Sequence, residues 1–203
     1  MNMKSVLTFL LLLFSLLCNG QSPKLFTADR ELSSSLINHM YQDRNGFIWI
    51  ATEDGLNRYD GAKFTIYKHE PANEHSLAHS FVRTVFEDSK GHLLIGTYMG
   101  VQMYDPATDN FTPLAKWEDN GEIFESNIVS IIERRNGEIW ISGNVLCRLN
   151  IKNNQLTVQQ INASITSPGY MIEDRKLNIW MSKGEEGLYR LDPDNLLSLY
   201  LSK

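Results

Sequence analysis

Cysteine is scarce in this sequence. Cys18 and Cys147 are the two present in 203 residues. If the first twenty residues are removed, Cys147 stands alone, so no internal disulfide can form and stability must come from packing. Cys147 reads as a strand residue and not as a reactive thiol. Basic excess is also missing. Asp and Glu number 24 against 19 Lys and Arg, a formal charge of −5, so the electrostatic footprint of a nucleic-acid binder is absent. No apolar run reaches the roughly 20 residues that a spanning helix needs. Sustained helical periodicity is lacking too, because turn signals interrupt the chain every few residues. With 42% apolar residues, 13 Gly and 6 Pro, the composition excludes a disordered chain, a collagen and a multi-span membrane protein.

The start of the chain is read as export signal. Lys4 precedes a largely apolar run from Val6 to Leu17, and Cys18-Asn19-Gly20 closes it before polar sequence begins at Gln21. A basic start, a short greasy stretch and small residues before the cut mark a secretory signal peptide over residues 1–20. A permanent anchor and a lipoprotein acylated on Cys18 are the alternatives; Leu17, directly before that Cys, is large for lipoprotein processing. Cleavage after Gly20 removes only Lys4 among the charges, leaving 18 − 24 = −6. The expected location is periplasmic.

Beyond it the chain repeats. Gly46–Asp60 reads GFIWIATEDGLNRYD, Gly91–Asp105 reads GHLLIGTYMGVQMYD, Gly137–Asn150 reads GEIWISGNVLCRLN and Leu177–Asp192 reads LNIWMSKGEEGLYRLD. Trp49, Leu94, Trp140 and Trp180 occupy one register, with steps of 45, 46 and 40 residues. A second register precedes each unit: Met40-Tyr41-Gln42-Asp43, Val85-Phe86-Glu87-Asp88, Ile131-Ile132-Glu133-Arg134 and Met171-Ile172-Glu173-Asp174. A third follows three of them as Phe64-Thr65, Phe111-Thr112 and Leu156-Thr157.

Each unit predicts four short strands. In the second, Phe81–Glu87, His92–Thr97, Val101–Tyr104 and Phe111–Leu114 are separated by Asp-Ser-Lys-Gly, Tyr-Met-Gly and Asp-Pro turns. Four strands per repeat of about 45 residues is the arithmetic of a β-propeller blade. Both faces of an interior blade are buried, which explains near-continuous apolar runs such as Phe47–Ala51. The recurring Trp fills the wedge between blades and needs one partner for its N–H. Asp43, Asp88 and Asp174 recur at one turn position and read as turn structure, with Arg134 breaking the pattern.

The unit D-x-x-G-x-I-W-I-x-T-x-x-G-L-x-x-Y-D resembles the two-component regulator propeller repeat. The resemblance extends over about Leu25 to Asp192. It implies the N-terminal part of the periplasmic sensor region of a bacterial hybrid two-component regulator, whose members typically sense oligosaccharides. It also implies downstream parts, including a membrane helix and a histidine kinase, that this sequence does not contain; membrane attachment is expected only through them.

The expected fold is therefore all-β, with blades near 32–70, 79–116, 126–161 and 168–203 inside one repeat region over 21–203. Closed propellers use about four to eight blades, and the last unit lacks the Phe-Thr register. The chain is expected to be part of a larger gene, forming an incomplete or open propeller. Six large apolar side chains left wet at an open end would cost roughly 10 kcal/mol, at 1.5–3 kcal/mol each. Self-association through open blade edges is the expected consequence.

Chemistry is sparse. His75 and His79 are four apart but sit in the link between the first two units with no third ligand, and a solvated loop is the expected reading. His69-Glu70 lacks the second His of a zinc-protease helix, and no nucleophile elbow or phosphate loop occurs. Asn110-Phe-Thr and Asn162-Ala-Ser fit the glycosylation sequon. No catalytic residue, cofactor or metal is expected. Binding is the function class that survives, with a propeller enzyme or interaction scaffold as the alternative. Ligands of propellers meet loops at one face, where turns between second and third strands join the inter-blade links. The turns hold Glu53, Asp54, Tyr98, Met99, Asn144, Glu185 and Glu186. The links hold Trp117, Glu118, Asp119 and Asn120. Trp117 is the leading candidate because it lies outside the repeated Trp register; Glu53, Asp54, Tyr98 and Glu185 join it as expected contacts for an oligosaccharide.

Overall fold

A computed structural model describes residues 25–27, 31–184, 186–194 and 196–201. The segment read as a signal peptide lies outside these residues. Blade 1 is the antiparallel meander β1 (Ile37–Gln42), β2 (Ile48–Thr52), β3 (Gly55–Tyr59) and β4 (Phe64–Tyr67). Blade 2 is β5 (Val82–Glu87), β6 (Leu93–Thr97), β7 (Val101–Asp105) and β8 (Asn110–Phe111). After β9 (Lys116–Trp117), blade 3 runs through β10 (Ser130–Glu133), β11 (Ile139–Ser142), β12 (Leu146–Lys152) and β13 (Gln155–Gln160). Blade 4 is β14 (Met171–Glu173), β15 (Ile179–Lys183), β16 (Gly187–Leu191) and β17 (Leu197–Leu201). The last segment thus supplies a fourth strand without the Phe-Thr register.

Two expectations need correction between blades 2 and 3. The fourth strand predicted over Phe111–Leu114 keeps a ladder only at Asn110–Phe111. Thr112 turns both its N–H and its Oγ1 to Met103, and Pro113 has no N–H to continue the ladder. Lys116, expected at the end of blade 2, pairs instead with Thr157 of blade 3, so β9 becomes a fifth, parallel strand on that sheet. Phe124 N–H donates back to Ala115 O at 2.8 Å, closing a hairpin between the two blades.

Three apolar clusters lie between successive blades. Trp49, Ala51 and Leu56 of blade 1 meet Val82, Val85, Ile95 and Phe111 of blade 2. Leu94, Val101 and Met103 of blade 2 meet Ile131, Ile141 and Leu149 of blade 3 around Phe124 and Ile128. Trp140 and Leu146 of blade 3 meet Met171, Ile179 and Leu191 of blade 4. Blade 2 is covered on both sides, and β6 is buried at every residue. The outer blades are not: Met40 is 62% exposed, and Ile172 is 65% and Tyr200 59% exposed.

The recurrent turn acid and the recurrent Trp form one device. Asp43 Oδ1 accepts the N–H groups of Asn45 and Phe47, while Oδ2 accepts Trp49 Nε1–H at 2.8 Å. Asp174 repeats this with Lys176, Asn178 and Trp180. Blade 2 has Leu94 in place of Trp, and there Asp88 Oδ2 holds His92 Nδ1 at 2.7 Å. Blade 3 has Arg134 in place of the acid. Glu138 takes the Trp140 Nε1–H at 3.1 Å, and Arg134 covers the indole face at 4.3 Å.

Hydrogen bonds from the Trp180 indole and the Asn178 amide hold the Asp174 carboxyl well below the usual carboxylate range. The folded protein therefore binds this proton more weakly than the unfolded chain, whose carboxyl has the ordinary value of 3.8. The stabilisation is present above about pH 4 and is lost as pH falls towards the folded value. Asp174→Asn is expected to lower the melting temperature at pH 7, by a deficit that begins to shrink below about pH 4 and is smaller at pH 3. An equal deficit at both pH values would remove the charge from the explanation.

Candidate functional site

An antiparallel meander sends its second-to-third turns and its outgoing links to the same end of the blade. That end is the expected ligand face. Thr52 shapes the first turn: its Oγ1 donates to Gly55 O at 2.8 Å and accepts Asp54 N–H at 3.2 Å. Thr97 does the same for Tyr98-Met99-Gly100. Gly55 and Gly100 hold φ of 135° and 154°, and these left-handed values suit glycine.

The first link, residues 68–81, is a folded loop. Leu77 is fully buried, and Ser76 Oγ accepts Glu70 N–H at 2.9 Å. Buried Gln102 ties this loop to blade 2: its Oε1 accepts Ala78 N–H and its Nε2 donates to Ser76 O and Thr112 O. Asn57, at the same blade position, holds Ser33 ahead of β1 in the same way. Cys147 occupies that position in blade 3 (each lies opposite an Ile of the second strand). It is buried, and burial pushes its thiol up to about 12. His75 and His79 do not converge. His75 Nδ1 faces Phe111 O, whereas His79 Nδ1 accepts Phe81 N–H at 2.9 Å. No group of three metal-ligating side chains occurs among the described residues.

The link delivers an aromatic cluster beside the second turn. Tyr98 is 53% exposed. Its N–H donates to Phe81 O at 3.0 Å. Its ring lies 5.5 Å from the His79 ring and 6.2 Å from Phe81. The Arg83 guanidinium sits 5.8 Å over the Phe81 ring. From sequence, His79 reads as solvated loop and Phe81 as the start of a strand, and Arg83 carries no role. Their signal was an aromatic-x-basic pair at the start of a strand, next to a turn already holding Tyr98.

The other sequence candidates are dispersed. Glu53 and Asp54 are exposed on the blade 1 turn, and Asp54 is paired with Lys68 at 2.6 Å. Met99 is half-buried and Asn144 exposed on their turns. Glu186 is bound to Lys183 at 2.9 Å and accepts the Tyr189 hydroxyl at 3.0 Å. Those bonds hold its carboxyl below the usual range. Glu185 lies outside the described residues. Trp117 is not brought to this cluster. It lies on the outermost strand of blade 3, edge-on to Phe124 at 4.9 Å. There it lines a cleft of about 320 Å³ with Glu118, Asp119, Gln159 and Gln160.

Strand pairing sets a fourth register: Arg58, Arg148 and Arg190 lie directly opposite Trp49, Trp140 and Trp180. Arg58 is surrounded by Phe47, Trp49, Tyr67 and Tyr104 at 5.2–5.8 Å and pairs with Asp109 at 3.0 Å. Tyr67 and Tyr104 also donate to Asp109, at 2.6 and 2.5 Å. Burial first, and these bonds second, push both phenols up. This cluster is a clasp between blades 1 and 2. Where Leu94 replaces Trp, Met103 replaces Arg.

Comparison with known proteins agrees with this architecture. Residues 31–54 and 76–99 match the two component regulator propeller family. A histidine kinase of Formosa agariphila is 35% identical over 83 residues, covering 37% of this chain and 6% of that protein. The extracellular domain of a putative hybrid two component system from B. thetaiotaomicron superposes with a TM-score of 0.73 at 18% identity, over 89% of this chain and 27% of that one. A virginiamycin B lyase from Staphylococcus aureus gives 0.58 at 17% identity, over 81% and 55%. A gluconolactonase from Xanthomonas campestris gives 0.60 at 11% identity, over 82% and 62%. The chain thus spans a small part of the sensor proteins it resembles, and its propeller fold is shared with both sensors and enzymes.

Proposed function

We propose that this chain, which carries two-component regulator propeller repeats, is an exported ligand-sensing module that binds an oligosaccharide at the Tyr98 face. The observation that carries the reading is the half-exposed Tyr98 ring, backed by Phe81 and His79 and flanked by Arg83. An exposed ring offers an apolar plane to sugar C–H faces, and flanking polar groups fix orientation. Export agrees with the extracellular origin of the solved relatives. In this reading the chain binds without turnover; signalling belongs to a kinase elsewhere in such receptors.

Calorimetric titration of the full chain with an oligosaccharide panel tests it. A saturable binder is expected, and Tyr98→Ala is expected to weaken it at least tenfold, about 1.4 kcal/mol. Trp117→Ala, on the outermost strand of blade 3, is expected to leave it unchanged. Equal binding by Tyr98→Ala would overturn the assignment of the face. Consumption of a saccharide or lactone during titration would favour the enzyme reading that the lyase and lactonase folds keep open.

A further inference from the structure

At the blade end opposite Tyr98, the first turns of blades 2 and 3 meet β12 and leave a cleft of about 450 Å³. Its lining includes Asp88, Lys90, His92, Glu138, Arg148 and Lys152. Both acids are occupied within the protein. The Asp88 side chain is 2% exposed, and its oxygens accept Lys90 N–H, His92 N–H and His92 Nδ1–H. Glu138 accepts Arg148 Nη1 at 3.0 Å and Trp140 Nε1 at 3.1 Å.

The bases are not matched in the same way. Lys90 and Lys152 are exposed, and neither joins an ion pair among the described residues. His92 uses Nδ1 on Asp88, which fixes the ring, and its Nε2 has no hydrogen-bond partner among the described residues. Arg148 Nε is buried with no hydrogen-bond partner. A chain of net charge −5 therefore carries a cleft in which two exposed lysines lie beside acids already bonded within the protein. The origin is in the repeat: with Leu94 for Trp, the Asp88 carboxylate lost its indole partner and orients an imidazole instead.

We infer that this cleft is an anion site that takes the sulfate or carboxylate group of an acidic ligand. Lys90 and Lys152 supply the charge that pairs with the bound oxyanion, beside the His92 ring that Asp88 holds in place. The site lies at the other end of the blades from Tyr98, so it stands or falls separately from the oligosaccharide reading.

The test is an amide NMR titration of the ¹⁵N-labelled full chain at constant ionic strength, with sodium sulfate and with sodium galacturonate, and with galactose as the neutral control. Saturable shifts at Lys90, His92 and Gly137 are expected with at least one of the two anions and not with galactose. The tighter anion identifies the group. Lys90→Gln with Lys152→Gln is expected to raise the Kd at least tenfold, with the spectrum otherwise retained because both residues are exposed. Tyr98→Ala is expected to leave the Kd unchanged. Shifts that fail to saturate, that spread over all surface lysines, that galactose reproduces, or that survive the double substitution would overturn the site.

Discussion

Trp49→Ala is expected to destabilise the protein by about 3–5 kcal/mol, the range for removing a buried aromatic. Trp49 is fully buried. Its ring lies edge-on to Tyr104 at 4.9 Å and stacked with Tyr67 at 5.9 Å, and its N–H is donated to Asp43. Removing it opens a cavity in the first inter-blade cluster and takes away one wall around Arg58. Trp180 is the internal control. It has the same register and the same bond to an Asp, but it is only half-buried, and its edge-on partner Tyr200 is 59% exposed. Trp180→Ala is expected to cost less than half as much. Urea unfolding of both variants decides the matter: equal losses would mean that burial between blades is not what the Trp contributes.

The second large effect is expected at Glu173. Its side chain is 7% exposed and paired with Arg134, 13% exposed, at 2.9 Å. It also accepts Arg135 N–H from the blade 3 turn at 2.8 Å. The same staple joins Glu87 to Arg44 and Glu133 to Ser89. Each acid binds the first turn of the preceding blade. Glu173→Ala leaves a largely buried guanidinium with only Glu138, at 3.5 Å, as its acid, and the loss is expected to approach but not reach the about 3–5 kcal/mol of a buried charge left wholly unpaired. Because the staple is local, hydrogen exchange in β14–β16 is expected to accelerate before that in blade 1. Gln42 holds this position in blade 1, where no blade precedes it among the described residues, and is exposed. Gln42→Ala is expected to change stability by less than about 0.5 kcal/mol. Uniform acceleration across all blades would show that the blades open together and that the staple is not a local lock.

Both predictions use residues whose registers were visible before any coordinates. The Trp and Asp registers were read as wedge and turn, but their direct hydrogen bond was not foreseen. It joins residues six apart across a turn, and its geometry depends on how tightly the turn folds. The Glu register was recorded without a role, because its partner lies in another blade. The Arg register opposite Trp went unread altogether, although Arg58, Arg148 and Arg190 recur at a fixed step from the closing Tyr-Asp or Leu-Asn/Asp. Trp117 stands apart. Its isolation from the Trp register suggested a ligand contact, and β9 sets it on the outer edge of blade 3, beside the cleft it lines with Glu118 and Asp119. A two-residue strand with Pro113 upstream leaves no periodicity to read.

The sequence by itself determined the four repeats, their strand order within each blade, the turns, and the end of the blade to which links and second turns run. These follow from period-2 burial, turn chemistry and antiparallel alternation, all of which act over a few residues. Only the tertiary structure decided which charges meet. Arg58 finds Asp109 and Arg134 finds Glu173 across blade boundaries, about 40 to 50 positions apart, while Lys90 and Lys152 find no acid among the described residues. Long, flexible charged side chains carry no local signature of their partners. Their pairing depends on how one packed blade is set against the next.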